Sequence, residues 1–297
     1  MAFLLETVAD NLTANTKCRV GVDYEGTRHI VYLDGGALMH AYTFYGGWQI
    51  NEIYPSVIDF DCIVLPTYNS LRIACILANG ELWYLDYSGG TYHWKGEIVS
   101  VAPLNIVRVA VGHDPVNTRP VVGFLVDNGN GTHDLRTIRY NIGTMSWDPP
   151  AVLENDFEGG GGAFGVGVFS GAAVYGAYVK VYQGTPVACL TSRAGGEVAT
   201  FYFSYGATVG SDVGLALYHD LGTGYYIVYV AYTIVSEPNQ IIRCVGISLN
   251  TLDLESEDIA TIPPVDGWTE TAIAFSLTVN NYGNPMVVYG VYDSGAA

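Results

Sequence analysis

The side chains of this 297-residue chain that could move protons or hold a metal are six histidines, five cysteines and 29 carboxylates. The histidines are scattered and show no paired metal-ligand spacing. His113-Asp114 and His219-Asp220 stand at equivalent places after apolar runs, which reads as an inherited turn more than a catalytic pair. Cysteines 18, 62, 75, 189 and 244 follow no metal motif, and an odd number cannot pair completely within one chain. Cys62 and Cys75 are the pair that a hairpin would bring face to face. The run Asp127-Asn128-Gly129-Asn130-Gly131-Thr132-His133-Asp134 offers oxygen ligands but lacks the spacing and terminal Glu of a calcium loop, so it reads as an Asn-Gly hairpin turn. No Ser-His-Asp elbow, phosphate loop or dinucleotide fingerprint is present, so neither a cofactor nor a metal is expected.

Such sparse chemistry has to be positioned by a scaffold, and the composition says which kind. Nearly half the residues are apolar, 14% are charged, and 36 Gly and 23 Tyr accompany many Val and Ile, a mixture suited to pleated strands and tight turns. No segment sustains the apolar spacing of three and four residues that a helix needs. A net charge of −17 with only 12 Lys plus Arg provides no basic footprint for phosphate, which argues against a nucleic-acid partner and an anionic membrane surface. No stretch reaches the ~20 apolar residues of a membrane span. Met1 to Asn11 lacks the cationic start and apolar run of a signal peptide, and an extracellular, cell-surface or virion setting is favoured without one being visible.

The organising feature is a degenerate repeat. Its clearest copy runs Arg19 to Asp23, a turn at Glu25-Gly26-Thr27, His29 to Tyr32, Asp34-Gly35-Gly36, Leu38 to Phe44, Gly46-Gly47 and Trp48 to Ile53. Short apolar runs separated by Gly, Asn and Asp turns are successive antiparallel hairpins. Second strands starting at 29, 72, 120, 186, 226 and 285 are spaced as propeller blades are. The chain therefore reads as one all-β propeller domain over 1–297, with six blades of antiparallel four-stranded sheets at about 15–56, 57–101, 102–157, 172–212, 213–262 and 268–297 plus 1–10. The N-terminal strand Phe3 to Val8 is expected to close the last blade. Segment 158–171, with four consecutive glycines, reads as an excursion from the scaffold whose loss would leave the melting temperature nearly unchanged. Strand Val198 to Phe203 belongs to a fourth blade whose outer strand reads as eroded.

Gly26-Thr27-Arg28-His29-Ile30-Val31-Tyr32, Leu38-x-His40-Ala41 and Trp48-x-x-x-Glu52-Ile53 resemble the repeat of bacterial-neuraminidase-repeat, sialidase-like propellers. A sialidase would imply an arginine cluster, a tyrosine nucleophile with its glutamate, and an acid/base aspartate near the axis. Arg19, Arg108, Asp23 and Asp114 lie on or just after innermost strands, but Arg28, Arg72 and Arg119 recur at second-strand starts, a position the repeat itself explains. No Ser-x-Asp-x-Gly-x-x-Trp box is present. A second resemblance, to fungal six-bladed fucose lectins, rests on Arg72, Glu81 and Trp94. It implies ionic side chains that grip hydroxyls and an indole that stacks on the sugar face. Ala37 stands in the first repeat where Glu81 stands in the second, so the trio does not recur.

These observations favour a non-catalytic interaction module that binds a glycan or a surface protein through loops on one face. A structural subunit of a virion or extracellular filament, self-associating through the last blade, is the alternative. A sialidase-like glycosidase comes third.

Overall fold

The computed structural model describes residues 17–293 except 24, 66–69, 89–93, 101–103, 117–118, 160–161, 170–172, 195–196, 204–207, 221, 237, 252, 265, 267–270 and 280–282. The expected closing strand Phe3 to Val8 lies outside the described residues. All regular structure among the described residues is β, and the chain divides into two compact units, residues 1–98 and 99–297.

In the first unit, β1 (Cys18–Val22), β2 (Arg28–Asp34), β3 (Ala37–Phe44) and β4 (Gly47–Tyr54) form one antiparallel sheet in chain order. The strands β5 (Val57–Leu65), β6 (Ser70–Leu77), β7 (Leu82–Ser88) and β8 (Trp94–Ser100) form the next. Turn chemistry sets the registers. Gly35 and Gly36 both take positive φ, as do Tyr45 and Gly46, which is the two-residue turn that matches strand twist. The first of these turns pairs Asp34 with Ala37, and so Val31 with His40 and His29 with Tyr42. Between the two sheets lies a core of Val31, Leu38, Phe60, Leu71, Ile73, Cys75 and Leu85. Cys62 and Cys75 sit in neighbouring strands as free thiols, Cys62 opposite Ile73 and Cys75 opposite Phe60, so the register that would stack them is not the one adopted.

The second unit holds four sheets. The first contains β9 (Ile106–His113), β10 (Pro120–Asp127), β11 (Thr132–Asn141), the two-residue β12 (Ser146–Trp147) and β13 (Ala151–Glu158). The next is β14 (Gly165–Phe169), β15 (Ala173–Tyr182), β16 (Thr185–Ala194) and β17 (Glu197–Tyr202). It is followed by β18 (Thr208–His219), β19 (Tyr226–Ser236), β20 (Asn239–Ser248) and β21 (Leu254–Ile262), and by the hairpin of β22 (Thr271–Val279) and β23 (Pro285–Asp293).

Here the glycine-rich expectation is overturned. Residues 165–169 of segment 158–171 are strand β14, which is buried along its whole length and pairs with β15. The glycines are there because neighbouring sheets touch. A Cβ at Gly165 would lie 2.5 Å from the backbone nitrogen of Leu215, and one at Gly112 would fall on the carbonyl oxygen of Val166. A strand pressed this closely between two others has no room for side chains at alternate positions. The fourth repeat is therefore complete, β17 is its outer strand, and its second strand begins at Ala173 rather than at 186. Second strands then start at 28, 70, 120, 173, 226 and 285.

Two outcomes follow for urea unfolding. Gly112→Ala should cost about 1–3 kcal/mol through overpacking against the Val166 carbonyl. Deleting residues 159–171 should remove a core strand and abolish the cooperative transition.

Candidate functional site

Side chains alternate across a strand, so β6 and β7 present different residues on their two faces. One face carries Arg72 and Ala74 opposite Asp86 and Tyr84, with Ser70 beyond Arg72 on the same face. Arg72 Nε stands 3.7 Å from Asp86 Oδ2, and the Ser70 hydroxyl donates to Asp86 Oδ1 at 3.2 Å. Tyr84 lies beside this pair, where burial pushes its hydroxyl well above the ordinary phenol range, opposed by Arg72 and reinforced by Asp86 and Glu97. Its O–H is therefore a neutral donor and acceptor. The Ser70 and Tyr84 hydroxyls are buried, whereas Arg72 and Asp86 keep 11% and 32% of their side chains exposed, so the charged pair is the part of this cluster that a polyol can reach.

Of the three residues chosen from the sequence, Arg72 and Glu81 do not converge. Glu81 sits in the β6–β7 turn, where its carbonyl accepts from the Leu77 amide at 2.9 Å. That is five residues along the strand from Arg72, ~17 Å at strand rise, and on the opposite face. Its carboxylate accepts from Trp83 Nε1 at 2.9 Å, and that bond together with Asn79 holds it below the usual carboxylate range. Trp94 opens β8, and its side chain lies outside the described residues. The acid that the register brings to Arg72 is Asp86.

The other face of the same strands meets the first sheet, and at one end of that seam stands a polar chain that sequence reasoning missed. Asp23 opens the β1–β2 turn: its Oδ1 accepts from the amides of Glu25 and Thr27 at 3.0 and 2.8 Å. Its Oδ2 lies 3.2 Å from His29 Nε2, and His29 Nδ1 lies 3.0 Å from His40 Nε2. A carboxylate only accepts, so His29 carries its proton on Nε2, and His40 Nε2–H donates to His29 Nδ1. The imidazoles stack with centroids 5.3 Å apart, and Tyr87 of β7 sets its edge against both, at 6.4 and 5.6 Å. Tyr42 stacks on His40 from β3 at 5.1 Å. Burial lowers both histidines, His29 against the pull of Asp23 and His40 to about 3 with the further repulsion of His29.

The remaining candidates are accounted for locally. Asp114 and Asp220 repeat the turn of Asp23, accepting from the amides of Val116 and Gly222 at 2.8 Å each, which identifies the two His-Asp pairs as turn chemistry of the repeat. In the 127–134 loop Asn128 Nδ2 donates to Asp134 and Asp156 at 3.1 Å, Gly129 donates to Asp127, and Arg136 binds Asp134, so the loop oxygens serve the turn. Arg19 is engaged by Asp61 at 2.7 Å and Lys17 by Asp59 at 2.8 Å. No group of three metal-ligating side chains occurs among the described residues.

The depressed histidines make stability depend on pH with a definite sign. Below pH ~6.5 the unfolded chain binds protons that the folded chain refuses, so the contribution of these rings is complete above that value and is lost as pH falls toward 3. Urea unfolding of the wild type should show stability falling between pH 7 and 5. His40→Phe should flatten that slope by about one proton.

No family model and no curated protein matches the chain. Its fold is nevertheless similar to solved structures. The SapL1 lectin in complex with α-methyl fucoside matches with a TM-score of 0.61 at 8% identity, over 95% of this chain and 90% of that one. AofleA from Arthrobotrys oligospora gives 0.61 at 12% identity, over 94% and 80%. The lectin of Aleuria aurantia, a six-bladed propeller with its own mode of fucose recognition, gives 0.59 at 12% identity, over 94% and 88%. At such identities the likeness establishes architecture: this chain has an all-β propeller fold.

Proposed function

We propose that the chain is a single, non-catalytic propeller domain that binds a glycan, with Arg72 and Asp86 as its charged grip. The observation that carries this reading is the match, over at least 94% of the chain, to propellers whose structures include a complex with α-methyl fucoside. The patch on β6 and β7 adds chemical support. Arg72 can donate hydrogen bonds to vicinal hydroxyls and Asp86 can accept, while the buried Ser70 hydroxyl holds Asp86 in place from behind. Trp94 remains the proposed stacking platform. Glu81 is proposed for a second contact at the opposite end of the β6–β7 pair, because one sugar ring cannot span the ~17 Å of strand between it and Arg72.

A glycan array that includes fucosides, followed by calorimetry, tests the reading. Saturable binding of at least one glycan is expected, and Arg72→Ala and Asp86→Asn should each weaken it by at least ~10-fold, the worth of one charged hydrogen bond. Silence across the array, or unchanged affinity in both variants with intact melting curves, would refute it.

A further inference from the structure

Strand β7 serves two masters. Asp86 points to the Arg72 face, and Tyr87, the next residue, points back onto His29 and His40. We infer that the Asp23–His29–His40 chain is an acid-sensitive latch on β7, which holds the Arg72–Asp86 grip closed near neutral pH and releases it on acidification. The ligand named here rests on the glycan-binding reading above. The latch itself rests on the geometry of the seam.

Neutral, the chain is fully connected: Asp23 accepts from His29, and His29 accepts from His40. A first proton can be absorbed only below the ordinary imidazole range, where Asp23 answers one imidazolium and His40 moves its own proton to Nδ1 and accepts at Nε2. A second proton cannot. Two imidazoliums would then face each other with centroids 5.3 Å apart in a seam where His29 is 4% and His40 1% exposed. Like charges at that distance, cut off from water, repel strongly. The groups facing the pair are Asp23 from the β1–β2 turn, Tyr42 from β3 and Tyr87 from β7. Farther along the seam the cations and carboxylates are already committed as Lys17–Asp59 and Arg19–Asp61. Tyr42 and Tyr87 supply rings and no charge, so the second proton is relieved by moving the rings apart, and Tyr87 is the contact that crosses from one sheet to the other. Displacing Tyr87 moves its neighbour Asp86 away from Arg72.

Opening exposes His40, the ring that the closed seam cannot charge, with an ordinary pKa of about 6.5, so the open population rises about 30-fold on its account between pH 7.5 and 5.0. Hydrogen exchange of the full chain, corrected for intrinsic rates, reads this directly. Amides of residues 28–44 and 82–88 should lose about 30-fold of protection at pH 5.0 in the wild type and less than about 3-fold in His40→Phe, which keeps an aromatic ring against Tyr42 and Tyr87. His29→Gln serves as a second variant should His40→Phe fail to fold. Equal wild-type protection at the two pH values, or an equal loss in a folded variant, would overturn the latch. Calorimetry with α-methyl fucoside at both pH values tests the coupling to the grip. Binding at pH 7.5 that weakens at least ~10-fold at pH 5.0 supports it, and equal affinity at both pH values overturns it. Absence of binding at pH 7.5 would count against the ligand reading alone, since the exchange experiment judges the latch without any ligand.

Discussion

Close seating of one sheet on the next governs this structure. At Gly112, Gly165 and Gly167 the innermost strands approach until a single methyl group would collide with a neighbour, and Gly21 meets Val64 in the same way in the first unit. Sheets that pack this tightly exclude water from the seams between them, and what remains must be apolar or fully hydrogen-bonded. Most of each seam meets the first condition, through clusters such as Val31, Leu38, Phe60 and Leu71 or Leu135, Leu153, Phe157 and Tyr178. Most of the buried polar groups meet the second, with His133 Nδ1, His219 Nδ1 and Ser248 Oγ among the exceptions.

That second condition explains why the polar sites are networks rather than single residues. Lys180 in the seam between β13 and β15 is paired with Glu154 at 2.8 Å and lies over the Tyr202 ring, while the Tyr178 hydroxyl is chained to Thr191 and Thr191 to Thr200 at 2.9 Å each. The Asp23–His29–His40 chain solves the same problem in the first unit. The two solutions differ in what they do with protons. A lysine whose pKa is raised by Glu154 despite its burial keeps its charge across the physiological range, so that seam is indifferent to pH. Imidazoles driven below their ordinary range keep no charge, and their seam is stable only while protons stay away.

Much of the architecture was legible from the residues because hairpins announce themselves. Gly35-Gly36, Asn79-Gly80 and the alternation around them placed the strands of the first two repeats within a few residues. The fourth repeat was misread for a physical reason: β14 is a strand whose signal is absence of side chains, and Gly165-Val166-Gly167-Val168 looks like a loop unless one knows that a neighbour occupies the missing volume. The site was half legible. Arg72 and Glu81 are named by the resemblance to fucose lectins, whereas counting back across Asn79-Gly80 sets Asp86 opposite Arg72. The same count through Gly35-Gly36 sets His40 opposite Val31 and one step diagonal from His29 on the same face, a pairing that a spacing of eleven residues hides.

Strand alternation then links chemistry on the two faces. A side chain in a closely packed propeller cannot move without its backbone, because rotamer space in the seam is filled. The backbone of β7 is shared by Asp86 on one face and Tyr87 on the other, one peptide apart, so the outward grip and the inward latch are two ends of the same lever. A scaffold whose seams are tightly packed leaves little room for the response to spread beyond the seam that holds the imidazoles. Tight packing, which seems to forbid regulation, is what gives a change at two imidazoles a single direction in which to act.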